Sequence, residues 1–346
     1  MKTLAAILVE SGKPLELVDI EIPALKPGQV LVEIAYSGIC HTQLLEVRGH
    51  RGVDKYLPHC LGHEGSGTVL ETGAGVMCVK AGDRVILSWI KGKGYDVPGC
   101  VYTWNDRKVN SGAITTFSKL AVISENRLTL IPGNAPMQEC ALLGCAVPTG
   151  MGVVFNTIHP KSGQSLAVFG VGGVGLCAIA AASIAGCYPV IAIDINPKKL
   201  EVARQMGATH CIDASKADPL KECLSMSPGG LDYAVEVSGN PKVMAQAVHS
   251  VRNLGGTAVI VGNAAHGQVF ELDPLQFNLG KRVLGTWGGE SRPEEDFPRY
   301  LKLLMAGKIN TDFLTANVYS LEDANAALDD LEAGRAVRPL LDMSRA

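Results

Sequence analysis

The stretch from Ser165 to Asp194 constrains the fold of this chain more than any other. It opens on a short apolar run, Ser165-Leu-Ala-Val-Phe169, too short for a stable helix and suited to a buried parallel strand. Gly170-Val-Gly172-Gly-Val-Gly175 follows, then a small-residue helical pattern through Ala185, then Gly186, where a helix end favours a left-handed residue. A second apolar run, Val190-Ile-Ala-Ile193, ends at Asp194, about twenty residues beyond the last glycine of the turn. Each part has a physical job. Gly170 permits the tight turn, Gly172 leaves room for a pyrophosphate at the backbone, and Gly175 lets helix and strand pack closely. The helix N-terminus offers free N–H groups and the positive end of its dipole to phosphate oxygens. Asp194 stands where an acid accepts both hydroxyls of a ribose. A glycine motif alone is weak evidence, because glycine turns are common. Strand, turn, helix, strand and acid in register specify a dinucleotide-binding βαβ unit.

A chain of 346 residues is long for one core, so two domains are expected. Apolar residues make up 47% and charged residues 19%, as in a soluble globular protein. A net charge of −3 gives no case for nucleic acid or an anionic membrane surface. The N-terminal run Leu4-Ala-Ala-Ile-Leu-Val9 is shorter and less basic than a secretory signal, and no apolar segment approaches a membrane span. Ten cysteines without the framing of a small disulfide-rich domain suggest a reducing compartment, and a cytoplasmic location is expected.

Before Cys145 the pattern is of short strands, not helices: Val30–Ala35, Gly67–Glu71 and Asp83–Leu87 lie between glycine and proline turns. Beyond it, strand and helix alternate. Further strands are expected over Leu231–Glu236, Thr257–Val261 and Pro339–Asp342, with helices over Val243–Val251 and Phe297–Ala306. The chemistry lies in the β-rich part. Gly38-Ile-Cys40-His-Thr42, Gly62-His63-Glu64 and Leu143-Gly-Cys145 bring thiols, an imidazole and a carboxylate into candidate ligand positions. Taken singly, such residues are more often core filler, and Cys60, Cys78, Cys177, Cys187, Cys211 and Cys223 are read that way. Spacing alone does not assemble Cys40, His63 and Cys145, since no local C-x-x-C pattern binds them.

These motifs, with Pro148-Thr-Gly150 and the Gly170 turn ending at Asp194, occur in the order found in the zinc-containing medium-chain alcohol dehydrogenases, and the chain resembles that superfamily over essentially its whole length. The resemblance implies an α/β plus β fold. A GroES-like catalytic domain would span residues 1–146, a doubly wound (Rossmann) NAD-binding domain residues 147–286, and residues 287–346 would return to the catalytic domain. By the same likeness Cys40, His63 and Cys145 are the ligands of one catalytic zinc, the Cys₂His set for which alcohol dehydrogenase is itself the standard example. A metal so held would favour alkoxide over alcohol by lowering the pKa of the bound hydroxyl, each unit of which is worth about 1.4 kcal/mol. The nicotinamide then takes the hydride.

The resemblance also assigns roles. Thr42 passes the alcohol proton outward, and Glu64 is a carboxylate behind the zinc. His41 and Arg338 match basic positions used on the pyrophosphate. Thr149 and Trp287 fall near the nicotinamide, and Gly170, Gly172, Gly173, Val174, Gly175, Asp194, Lys199 and Val261 complete the NAD(H) contacts. Asp194 should disfavour NADP, because a carboxylate and a 2′-phosphate about 4 Å apart repel by about 4 kcal/mol at an effective dielectric near 20.

Three departures matter. Gln43 stands where the family often has Asp, Leu45 where a histidine can finish the proton relay, and Ser88–Gly112 holds only Cys100 where many members carry four structural-zinc cysteines. An amide oxygen at Gln43 can still accept an imidazole N–H without adding charge, and no structural zinc is expected. Trp89, Lys91 and Lys93 fall in a loop that lines the substrate pocket in the family, and His50, Arg51 and Lys55 form a second basic group. Together they suggest an anionic substrate. The reading is a zinc-dependent, NAD-linked oxidoreductase acting on an alcohol, polyol or the matching carbonyl, as a homodimer or homotetramer. Its alternatives are a zinc-free quinone or enoyl reductase of the same fold, which lacks the ligand triad, and a catalytically silent NAD-binding protein, which would have lost ligands or Thr42.

Overall fold

Both apolar runs around the glycine turn are strands, Leu166–Phe169 and Val190–Asp194, in a computed structural model that describes residues 1–345. They pair in parallel, Leu166 opposite Val190 and Phe169 opposite Ile193. Four more parallel strands complete the sheet, in the order His210–Asp213, Val190–Asp194, Leu166–Phe169, Tyr233–Glu236, Thr257–Ile260, Arg282–Gly285. The order runs outward in both directions from Leu166–Phe169. The sheet's reversal point therefore lies between the C-terminal ends of Leu166–Phe169 and Tyr233–Glu236, where doubly wound sheets open a ligand crevice. Its inner strands are unbroken apolar runs because helices cover both faces. One of these helices, Gly173–Ile184, is apolar all round and almost wholly buried. Three others begin alike: Asn196, Asp218 and Asn240 each cap a helix whose first residue is proline, and each side chain accepts a backbone N–H from the first turn.

The chain divides into two units. This parallel sheet lies in the one formed by Ala146–Ser291 with Lys308–Asn310, and the other comprises Met1–Cys145, Arg292–Gly307 and the stretch from Thr311 onward. Residues 288–291 stay with the nucleotide sheet because Ser291 Oγ donates to the Pro148 carbonyl at 2.9 Å and Asn156 Nδ2 to that of Gly289 at 3.3 Å.

The first unit holds a closed five-stranded barrel, Lys2–Leu8, Glu16–Glu21, Val101–Trp104, Arg107–Asn110 and His59–Cys60, and a seven-stranded sheet centred on Gln29–Gly38. Gln29–Gly38 pairs with Glu64–Thr72, with Leu120–Ser124 and with the C-terminal strand Leu340–Asp342, so the end of the chain is built into the unit that its start begins. Ala5, Ile7, Ile20, Tyr102 and Val109 fill one core cluster, and Val30, Val32, Ile34, Phe117 and Leu341 another.

Two expectations need correction. The segment before Cys145 is not all strand: His41–Val47 and Met137–Leu142 are helices, of seven and six residues, too short to display a 3.6-residue period. Cys78, read as core filler, is exposed.

Candidate active site

Each putting together of the thiols and the imidazole begins with local backbone. Cys40 is the extended residue before the helix His41–Val47, with φ −101° and ψ 155°. Its N–H donates to Gln43 Oε1 at 3.1 Å, which closes the first turn. His63 follows Gly62, whose φ of +92° suits glycine and whose absent Cβ would come within 2.2 Å of Thr116 Oγ1. Cys145 follows Gly144 at the end of the first unit's opening segment.

The ligand atoms of Cys40, His63 and Cys145 all lie within 4.8 Å of one another, with His63 Nε2 3.3 Å from Cys145 Sγ. Tetrahedral zinc with bonds of about 2.0–2.3 Å separates its N and S ligands by roughly 3.6–3.8 Å. Soft thiolates with one imidazole suit that ion and leave a fourth position for a reacting oxygen.

The protons of this cluster are shared. The Cys145 thiol donates to Cys40 and so holds Cys40 well below the usual thiol range, against its burial and with help from the charges of Arg338 and His63. Cys145, the donor of that bond and buried as well, lies well above the usual range. Gln43 is buried, and its Nε2 lies 2.5 Å from His63 Nδ1 while its Oε1 is taken by Cys40. Here the amide nitrogen, not its oxygen, faces the imidazole. An amide nitrogen toward Nδ1 puts the proton of a neutral ring on Nε2; an Nε2 that binds metal needs it on Nδ1, with the amide turned end for end.

Glu64 is fully buried behind this cluster and paired with Arg338, itself 4% exposed. Burial pushes the Glu64 carboxyl up, opposed by Arg338 and His63. Burial would lower the Arg338 guanidinium, but Glu64 and the sulfurs of Cys40 and Cys145 hold it well above its usual range. Arg338, expected at the pyrophosphate, thus lies against the ligand cluster, and its Nε has no hydrogen-bond partner.

A cavity of about 330 Å³ reaches His63 of this cluster. Thr42, Gln43 and His63 line it together with Glu46, Arg51 and His59. Cys40 Sγ lies 3.8 Å from Thr42 Oγ1. Trp89, Lys91 and Lys93 do not line it. Trp89 packs half-buried on the core, Lys91 pairs with Asp96 at 2.7 Å, and the Lys93 backbone bonds Glu294. Of the two basic groups, it is the second that supplies a cation here, through Arg51. Its lining residues Glu46, His59 and Thr115 carried no sequence signal, since each sits in an otherwise ordinary strand, helix or loop.

In the nucleotide-binding unit Gly170 has φ +96°, and a Cβ on Gly175 would meet the Gly170 carbonyl at 2.1 Å. A Cβ on Gly172 would meet nothing within 4 Å, so an open cradle lies before the helix that starts at Gly173 and Val174. Asp194 accepts the N–H of Val171 at 2.8 Å and of Asn196 at 2.9 Å, which fixes its carboxylate beside the glycine turn. Lys199 lies half-buried on the next helix, and the N–H of Val261 donates to the Glu236 carbonyl at 2.8 Å. Thr149 Oγ1 is buried without a hydrogen-bond partner, while His41 and Trp287 are exposed. Sequence reading missed Glu236, fully buried at a strand end, whose Oε1 gathers the N–H groups of Ser238 and Gly239 while its Oε2 has no partner. A carboxylate ending an apolar strand was the available signal.

A GroES-like unit carrying two thiols and an imidazole, with a doubly wound nucleotide sheet, defines the class of zinc-dependent medium-chain dehydrogenases. Residues 26–133 match the alcohol dehydrogenase GroES-like domain and residues 173–306 the zinc-binding dehydrogenase domain. S-(hydroxymethyl)glutathione dehydrogenase of Synechocystis sp. is 34% identical over 368 residues, covering 99% of this chain and 100% of that protein. Among solved structures, the alcohol dehydrogenase zinc-binding domain protein from Burkholderia ambifaria superposes with a TM-score of 0.91 at 30% identity over 100% of both chains. Benzyl alcohol dehydrogenase from Acinetobacter calcoaceticus superposes with a TM-score of 0.90 at 28% identity, over 99% of this chain and 100% of that one. The chain belongs to the zinc-binding, GroES-like alcohol dehydrogenase family. It is a zinc- and NAD-dependent oxidoreductase that interconverts alcohols and carbonyl compounds, and the zinc-free and silent alternatives are not favoured.

Proposed function

We propose that Cys40, His63 and Cys145 hold the zinc, and that Thr42 takes the proton of the reacting hydroxyl. When bound, zinc acidifies an alcohol and polarises a carbonyl, and NAD accepts or returns the hydride. The protein's own part is positional. Gln43 sets the ring of His63, the buried Glu64–Arg338 pair balances charge behind the thiolates, and Asp194 with the cradle at Gly172 orients the dinucleotide. The observation that carries this reading is the convergence of two sulfurs and an imidazole nitrogen within 4.8 Å from three separate segments. Arg51 on the cavity wall supports an anionic substrate end, as do the relatives named for S-(hydroxymethyl)glutathione.

We further read the enzyme as a cytoplasmic homo-oligomer. Ten cysteines, none of them in a disulfide, suit a reducing compartment, and no helix among the described residues is long and apolar enough to cross a membrane. The sheet ends on the strand Arg282–Gly285, and Leu284, Leu275 and Phe277 nearby are 40%, 51% and 50% exposed. A second copy is the partner that such an edge fits. The central test is elemental analysis of wild type and Cys145→Ser. One zinc per wild-type chain, lost together with NAD-linked alcohol oxidation in the variant, is expected. A variant that keeps its zinc would remove Cys145 from the ligand set.

A further inference from the structure

The family position that can finish the proton relay holds Leu45, which has no atom to carry a proton. One residue further on, the structure supplies one. Thr42 and Glu46 are i and i+4 on the helix His41–Val47, so their Cβ atoms stack on one face roughly 5–6 Å apart. Both line the cavity that reaches His63. Glu46 Oε1 is 3.7 Å from His59 Nε2, and Asp54 Oδ2 is 2.8 Å from the same nitrogen. The opposite ring nitrogen settles where the protons are. His59 Nδ1 lies 3.0 Å from the Cys60 carbonyl, which can only accept, so Nδ1 carries a hydrogen. The 2.8 Å contact between Nε2 and a carboxylate then needs a second proton between them. The three side chains thus hold an exchangeable proton on the wall of the reaction cavity. Thr115 Oγ1, 3% exposed and without a hydrogen-bond partner, lines the same cavity and marks it as built for polar occupants.

We propose that Glu46, backed by His59 and Asp54, is the group that receives the reaction proton from Thr42 and delivers it to solvent. This rests on the reading of Thr42 given above. In alcohol oxidation the substrate carbon gives its hydride, with the bonding pair, to the nicotinamide. The hydroxyl proton goes to Thr42 Oγ1, and the proton Thr42 already carries goes to a Glu46 carboxylate oxygen, either directly or along cavity water. The carboxylic acid so formed loses that proton at the cavity mouth. Reduction runs the same path inward. The groups facing Glu46 tune it: burial pushes its carboxyl up, while His59, Arg51 and His63 pull it down and Asp54 opposes them. A half-buried carboxylate at a cavity wall, raised by burial and opposed by neighbouring basic groups, suits a group that must both take and release a proton.

The experiment is single-turnover NADH formation from an alcohol across pH, with zinc content measured in every protein. Glu46→Gln should keep its zinc and lose about 10- to 100-fold in the neutral-pH rate. The alkaline-rising limb of its profile should vanish, and small bases such as imidazole should restore part of the rate. In a readout independent of turnover, proton release on binding NAD with a non-oxidisable alcohol should change stoichiometry or pH dependence in Glu46→Gln. His59→Gln removes a positive neighbour and should move the limb to higher pH, since the ionised carboxylate is the active form. An unchanged rate and profile in zinc-loaded Glu46→Gln overturns the proposal, and so does a slow variant that small bases fail to rescue. Wild-type enzyme without zinc-dependent alcohol oxidation would sink the underlying reading, whereas one slowed by Thr42→Val but indifferent to Glu46→Gln sinks this inference alone.

Discussion

At the scale of single residues, Gln43 joins two jobs that its neighbours cannot share. One end of its amide closes the turn at Cys40 and the other meets His63, so one buried side chain sets the positions of two proposed ligands from different segments. An aspartate there would add charge and lower the metal's pull on an oxygen. The neutral amide orients without that cost. Gln43→Ala should therefore weaken zinc binding by about 10- to 100-fold, in the range expected when a partner of a ligand histidine is removed. Competition with a chromophoric chelator measures this, and an affinity within a factor of two of wild type would show that Gln43 is not needed to position the ligands. Zinc must also displace the proton that Cys145 shares with Cys40, so the apparent affinity should fall as pH falls.

At the scale of elements, the nucleotide sheet is pinned by one carboxylate. Asp232, just before Tyr233–Glu236, accepts the Ser165 N–H and Oγ at 3.0 Å each and the Arg252 Nε at 2.9 Å. It thereby ties the start of the central strand to its neighbour and to the turn before Thr257–Ile260. Partial burial acts to raise its pKa, but the Ser165 and Arg252 donors prevail and hold Asp232 below the usual range. The sign follows from the depressed folded-state pKa. The stabilisation is fully present above the unfolded value near 4 and is lost as pH falls through the folded value. Asp232→Asn should cost about 1–3 kcal/mol at neutral pH. The difference from wild type should shrink in acid, which urea unfolding at pH 7 and below pH 3 would reveal. An equal difference at both pH values would mean the carboxylate charge plays no part.

At the scale of the whole molecule, the strand Arg282–Gly285 is a sheet edge with apolar side chains beside it. Leu254, whose N–H donates to the Leu279 carbonyl, is 82% exposed on the same stretch of the nucleotide unit. An edge of this kind invites strand pairing or apolar contact with a second copy. Sedimentation should find a dimer or larger oligomer for wild type. Leu284→Asp combined with Phe277→Asp should shift it toward monomer while the purified monomer still binds NAD. An oligomer unmoved by both changes would place the contact elsewhere.

The sequence by itself determined the nucleotide unit almost completely, because its determinants are local. Ser165–Asp194 carries the strand, the left-handed glycine, the open position at Gly172 and the acid in one continuous run, and each obeys the period or backbone conformation of its element. The proposed metal ligands were legible as residues but not as a group. Cys40, His63 and Cys145 come from three distant segments, and only family order linked them before the structure brought their atoms within 4.8 Å. What surrounds them was decided by tertiary structure alone. Gln43 reaches both Cys40 and His63, Arg338 folds from the far end of the chain onto Glu64, and Arg51 rather than Lys91 or Lys93 enters the cavity. Glu46, Asp54 and His59 meet because a seven-residue helix and a two-residue strand face one cavity. Elements that short carry too little periodicity to announce themselves, and contacts between them depend on where the sheet and barrel place their ends.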